Sequence, residues 1–175
     1  NVINNNINDA QAIAVSIHYS DGTFNIKNNR IVSSVNNADG INMSYCDGTS
    51  INIANNFIHL SGTGDLLGIT YYLSSYFKIY HNSVNLTGVN TEGYAFYGSA
   101  GGNNMLANNI LVNTGGGYAY YTNNTSTLSY SDYNDIYTNG TRFAKWSNAA
   151  VADLAALQSA SGKDAHSLSL EPVFV

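Results

Sequence analysis

A six-residue stretch, Ile53-Ala54-Asn55-Asn56-Phe57-Ile58, recurs along the chain at a nearly constant interval, and that repeat limits the fold more than any other feature. Aligned on its second asparagine, it places Asn5, Asn29, Asn56, Asn82, Asn109 and Asn134 in register, with steps of 24, 27, 26, 27 and 25 residues. Two positions after each anchor sits an aliphatic residue: Ile7, Ile31, Ile58, Val84, Leu111 and Ile136. Three positions before it come Val2, Ile26, Ile53, Ile79 and Leu106, and only Ser131 breaks the rule. Repeats of this length mean stacked units that bury their apolar faces against their neighbours. Around each anchor apolar and polar residues alternate with the period of a strand. The β-branched and aromatic residues, interrupted every few positions by Gly and Asn, exclude a helical solenoid. What remains is an all-β coil of short strands, piled up as parallel sheets into a β-helix of about six coils of 24–27 residues.

The asparagines have a physical role in such a stack. The backbone bends sharply between two strands, and Asn tolerates the left-handed region better than any residue except Gly. In successive coils the turns lie ~4.8 Å apart, so one side-chain amide can donate to the carbonyl oxygen of the next. A ladder of buried amides is expected at the six anchors. The slot before them reads Asn4, Asn28, Asn55, His81, Asn108 and Tyr133. Tyr133 fits poorly, and the last turn is expected to change shape.

Over residues 1–146 these motifs resemble those of the right-handed parallel β-helix proteins, the pectate-lyase-like superfamily. In that family each coil has three strands, and substrates lie along the face of the third. Residues 147–175 are expected to pack on the last coils as a short helix and a strand. Val151, Leu154 and Leu157 have helical spacing, Ser147 or Asn148 can cap the start, and Gly162 the end. Leu168 and Leu170 alternate as in a strand that ends at Glu171-Pro172. The segments Ser131-Asp132-Tyr133-Asn134, Asp153–Gln158, Gly162–Ser167 and Pro172-Val173-Phe174, with Trp146, are similar to the terminal part of secreted bacterial β-helix proteins. Those usually carry Asp where this chain has Glu171. Because Val2 already sits in the repeat, the chain is expected to be a piece of a longer protein whose flanking domains are its partners.

On the third strand the inward positions are read as Val15 and Ile17, Ile41 and Met43, Ile69 and Tyr71, Tyr94 and Phe96, Tyr118 and Tyr120. The outward ones are then Ser16 and His18, Asn42 and Ser44, Thr70 and Tyr72, Ala95 and Tyr97, Ala119 and Tyr121. No carboxylate stands among them, so neither the two acids of a glycosidase nor the calcium ligands of a lyase are assembled there. Tyr72, Tyr97 and Tyr121 form an outward column able to stack on sugar rings, with Thr70 and Tyr45 for polar contacts. The simpler reading of that column is mutual packing, or cover by a loop or the C-terminal helix.

Other chemistry is sparse. His18, His59, His81 and His166 fall on separate coils or in the tail, which argues against a metal site. Asp132 and Asp135 read as turn caps, and Arg142 and Lys145 as solvated charges. Cys46 reads as a packed thiol. No cofactor is expected. With 27 asparagines, 14 tyrosines, six Lys plus Arg and a net charge of −5, the chain lacks a nucleic-acid footprint. No apolar run is long enough to insert in a membrane. The expectation is a non-catalytic, secreted or cell-surface bacterial module, adhesin-like or polysaccharide-binding. The alternatives are a fragment of a polysaccharide lyase or glycoside hydrolase with its catalytic coils elsewhere, and a spacer without ligand.

Overall fold

The computed structural model describes residues 1–8 and 13–174. The first coil holds β1 (Val2–Ile3), β2 (Asn6–Asn8) and β3 (Ile13–His18). The second holds β4 (Phe24–Lys27), β5 (Arg30–Ser33) and β6 (Asp39–Ser44), and the third β7 (Ile51–Ala54), β8 (Phe57–Leu60) and β9 (Leu67–Tyr72). Then follow β10 (Phe77–Tyr80), β11 (Ser83–Leu86) and β12 (Tyr94–Ser99), and β13 (Asn104–Ala107), β14 (Ile110–Asn113) and β15 (Tyr118–Thr122). The last coil holds β16 (Leu128–Asp132), β17 (Asp135–Tyr137) and β18 (Ala144–Trp146), before β19 (Ala149–Val151) and α1 (Leu154–Ser161). Strands one coil apart pair in parallel, giving sheets β1-β4-β7-β10-β13-β16 and β2-β5-β8-β11-β14-β17. The third sheet, β3-β6-β9-β12-β15-β18, ends on the antiparallel β19. The chain is a parallel β-solenoid.

The core is the repeat seen end on. Ile26 lies over Ile53, Ile53 over Ile79 and Ile79 over Leu106, all with no exposed surface. Ile31, Ile58, Val84, Leu111 and Ile136 form the matching column on the second sheet. Toward the last coils the interior turns aromatic, with Tyr71, Phe77, Phe96, Tyr120 and Trp146.

The amide ladder is present at all six anchors. Asn5 Nδ2 donates to Asn29 Oδ1, Asn29 to Asn56, Asn56 to Asn82, Asn82 to Asn109 and Asn109 to Asn134, at 2.9 to 3.1 Å. Every donation points toward the following coil. Asn5 is exposed, whereas the other five anchors are 1–2 % exposed. The preceding slot is left-handed throughout, with φ between +55° and +60°, and Tyr133 at +58° keeps the shape of the others, contrary to expectation. Its ring lies flat on His166 at 4.9 Å, and that contact accompanies the strained backbone.

The last amide, Asn134 Nδ2, meets a buried acid, Asp164, whose Oδ1 also accepts from the hydroxyls of Ser131 and Ser167. Ser131, which breaks the apolar column, is therefore part of the ladder's terminus. Nearby, Asp132 accepts from the N–H groups of Tyr133 and His166 and bonds the His166 ring at 2.7 Å. Burial pushes the Asp164 carboxyl above its ordinary value, against the pull of the Ser167, Asn134 and Ser131 bonds. Burial would raise Asp132 too, but the bonds from His166 and Tyr133 outweigh it and hold that carboxyl low. The two acids act on stability in opposite senses. What Asp132 contributes is present above its unfolded value of about 3.9 and is lost as pH falls through its folded one. What Asp164 contributes is complete below about 3.9 and is lost as pH rises through its raised folded value. Denaturation from pH 4 to pH 8 should show this upper-side loss, and Asp164→Asn should flatten it; an unaltered slope in the variant would rule out Asp164 as its source.

The C-terminal region departs from expectation in three ways. Ser147 and Asn148 do not cap a helix: both have positive φ and turn β18 into the hairpin strand β19. The cap is Asp153, accepting from Ala156 N at 2.8 Å, with Gly162 closing α1 at φ +66° as expected. Leu168 and Leu170 form no strand. Leu168 makes one parallel bridge to Asp135, and both side chains are more than half exposed. The tail also reaches beyond the last coils, and Phe174 meets Phe57 edge-on at 6.2 Å.

Candidate functional site

The outer face of the third sheet carries polar and aromatic groups, and the burial pattern of its strands departs from simple alternation. In β6, β9, β12 and β15 two consecutive residues are buried: Gly40 and Ile41, Gly68 and Ile69, Ala95 and Phe96, Ala119 and Tyr120. The first of each pair must be small. A Cβ on Gly40 or Gly68 would meet Ile58 or Val84 from the facing sheet at 2.7 or 2.3 Å.

This small-residue column sets the register, and it differs from the one expected. Thr70 lies opposite Tyr97, and Tyr72 opposite Ser99. One outward column therefore reads Ser16, Asn42, Thr70, Tyr97, Tyr121 and Lys145, and the next His18, Ser44, Tyr72 and Ser99. Tyr72 does not share a column with Tyr97 and Tyr121. Ala95, two residues beyond Gly93, occupies the Gly68 slot. Tyr94 does not face the core either, and Tyr118, though buried, lies beneath Lys145 and Arg142 rather than in the central core cluster. Tyr94 and Tyr118 join Tyr97 and Tyr121 in an outer cluster, with Tyr94–Tyr121 and Tyr97–Tyr121 centroids 5.0 and 4.9 Å apart. Burial, then Glu92 and the neighbouring rings, pushes the Tyr94 phenol up to about 12.

Lys145 and Arg142 are not free solvated charges. Lys145 Nζ sits 4.9 and 5.0 Å above the Tyr118 and Tyr121 rings, and Arg142 lies 5.7 Å above Tyr118 and pairs with Glu92 at 3.1 Å. Tyr121 is thus held by packing, and its hydroxyl donates to Asn148 at 2.7 Å.

The shifted register still brings three of the expected residues together. Thr70, Tyr72 and Tyr97 line one cleft of about 120 Å³ with Asn42, Met43, Leu67 and Tyr71. Thr70 is 4 % exposed, while Tyr72 is 45 % exposed. Two rings from different columns thus border the polar groups of Thr70 and Asn42. Asn42 Nδ2 donates to Asp39 Oδ2 at 2.9 Å. Asp39, the first residue of β6, supplies this face with a carboxylate. Burial raises the Asp39 carboxyl, opposed by the Asn42 bond, with Asp65 adding to the rise. Beyond Tyr72 the aromatic surface continues: Tyr45 packs edge-on against it at 5.6 Å, and Tyr19 stacks on Tyr45 at 4.8 Å. Tyr19 and Tyr45 both hold positive φ. The sequence signal for Asn42 is the polar alternation Asn42-Met43-Ser44, which matches Ser16-Ile17-His18 one coil earlier; none marks Asp39.

Among the described residues no group of three or more His, Cys, Asp or Glu could hold a metal ion, and no helix is long and apolar enough to cross a membrane. Cys46 is buried, its thiol directed at the Ile17 and Ser44 carbonyls. Comparison with protein-family models, curated proteins and solved structures finds no match.

Proposed function

We propose that this β-solenoid is a saccharide-binding module of an exported bacterial surface or secreted protein. The observation that supports the reading is the cleft in which Tyr72 and Tyr97 flank Thr70 and Asn42. A sugar ring has apolar C–H faces and a hydroxyl rim, so it is matched by aromatic rings beside hydroxyl and amide groups. Thr70 and Asn42 can serve that rim, and Tyr45 and Tyr19 extend the stacking surface along the solenoid axis. The Asp39 carboxylate is held by Asn42, and Asp65 is close enough to raise it further. The Asn- and Tyr-rich surface, poor in charge, fits a neutral glycan better than an anionic one.

Calorimetric titration with neutral oligosaccharides tests the reading. Tyr72→Ala and Tyr97→Ala should each weaken binding about tenfold, equivalent to roughly 1.4 kcal/mol per ring. If the wild-type chain binds and neither variant changes the affinity, the cleft is not the site.

A further inference from the structure

Directly beside this cleft, four outward side chains form a block on two neighbouring strands: Ser16 and His18 on β3, Asn42 and Ser44 on β6. Ser16 is in register with Asn42, and His18 with Ser44. Ser16 Oγ lies 2.6 Å from His18 Nε2, and His18 Nδ1 bonds Ser44 Oγ. We propose that Ser16 and His18 form an acyl-transfer site that hydrolyses carboxylic esters borne by the saccharide in the cleft. The ester class rests on the saccharide reading; the reactivity of Ser16 does not.

The roles follow from hydrogen bonding. If Nε2 is to accept the Ser16 proton, the neutral ring carries its own proton on Nδ1, where the Ser44 oxygen accepts it and fixes that tautomer. A hydroxyl 2.6 Å from an imidazole nitrogen is a nucleophile in contact with its base. Asn42 Nδ2 has one proton on Asp39, and its second has no partner among the described residues. Asn42 stands one strand, ~4.8 Å, from Ser16 in the same column and can donate to a developing oxyanion. Asn42 also lines the cleft, so a sugar bound there carries its acylated hydroxyls toward Ser16.

The reaction needs only an ester and water. Ser16 Oγ bonds to the acyl carbon as its proton passes to His18 Nε2, and the carbonyl oxygen takes the negative charge beside Asn42. Collapse of this adduct breaks the acyl carbon–oxygen bond to the sugar, and the departing sugar oxygen takes the proton from His18. Water then attacks the acyl-serine, giving its proton to His18. The second collapse returns that proton to Ser16 and frees the carboxylic acid.

A fluorophosphonate probe applied to the full chain, with the adduct mapped by peptide mass spectrometry, tests the pair without any sugar. Ser16 should be modified, His18→Gln should slow the modification about a hundredfold, and His59→Gln, on the second sheet, should leave it unchanged. Ser16→Ala should remove the adduct without altering the melting curve, since Ser16 is exposed. An adduct on another serine, none at all, or one indifferent to His18→Gln would overturn the pair. Acetylated xylo-oligosaccharides then test the substrate class: acetate should be released, and Asn42→Ala should slow release about a hundredfold. Labelling of Ser16 without acetate release rejects sugar esters as the substrate. Titration with the unacetylated oligosaccharide separates that result from a failure of binding.

Discussion

Replacing Asn82 by alanine should destabilise the protein by about 3 kcal/mol, because several buried groups lose partners that each are worth about 1–3 kcal/mol. The Asn82 Oδ1 accepts both the backbone N–H and the Nδ2 of Asn56, at 3.1 and 2.9 Å. Its own Nδ2 donates to Asn109 Oδ1, Ile53 O and Tyr80 O at 3.0, 2.9 and 3.2 Å. At 1 % exposure, water does not replace these bonds. For a chain of this size the melting temperature should fall by about 6–12 °C. Asn5 is exposed and has a ladder partner on only one side, so Asn5→Ala should cost about 1 kcal/mol or less. Equal losses for the two variants would show that burial does not strengthen the ladder.

Gly88→Ala should be of similar size, for a steric reason. After the second sheet the turns of four coils rest backbone on backbone. A Cβ on Gly88 would lie 1.7 Å from Gly62 O, one on Gly115 1.7 Å from Gly88 O, and one on Gly62 2.1 Å from Val35 O. These carbonyls cannot swing aside cheaply, since adjacent residues are tied to neighbouring coils: Thr87 N to Leu60 O at 3.0 Å and Thr114 N to Leu86 O at 2.9 Å. The coils would have to part locally, at a cost of about 3 kcal/mol. The urea midpoint should drop accordingly. Gly140→Ala, whose new Cβ would meet nothing closer than Thr138 Oγ1 at 3.7 Å, should stay within about 0.5 kcal/mol of wild type. A Gly88→Ala midpoint as high as that of Gly140→Ala would mean the turns are packed more loosely than this.

The ladder is legible in the sequence because each rung needs the same residue for the same reason. One amide must accept from the coil before and donate to the coil after, so an asparagine has to recur at every turn. The left-handed slot before it was legible too, save at Tyr133, where intrinsic preference argued against a shape that the stacked His166 ring accompanies. The alternation around each anchor likewise named the interior isoleucines. The helix stop at Gly162 could be read, but its start could not. Ser147 and Asn148 are as apt for a hairpin turn as for a cap, and only pairing of Ala149–Val151 with β18 decides between them.

The third sheet marks the boundary between the two kinds of information. Its strands are separated from the anchors by surface loops of differing length, so counting from an asparagine does not give their phase. The phase comes from packing: small residues at Gly40, Gly68, Ala95 and Ala119 pass the side chains of the facing sheet, and everything outward follows. That one constraint moved Tyr72 out of line with Tyr97, turned Tyr94 outward and opened a cleft between their columns. The block of Ser16, His18, Asn42 and Ser44, by contrast, follows from the alternation of the sequence, and the pairing agrees with it. The sequence by itself determined the stacking of the coils, because that depends on a bond repeated at a nearly constant interval. Which outward groups meet was decided only in three dimensions, by steric contact between residues on different sheets.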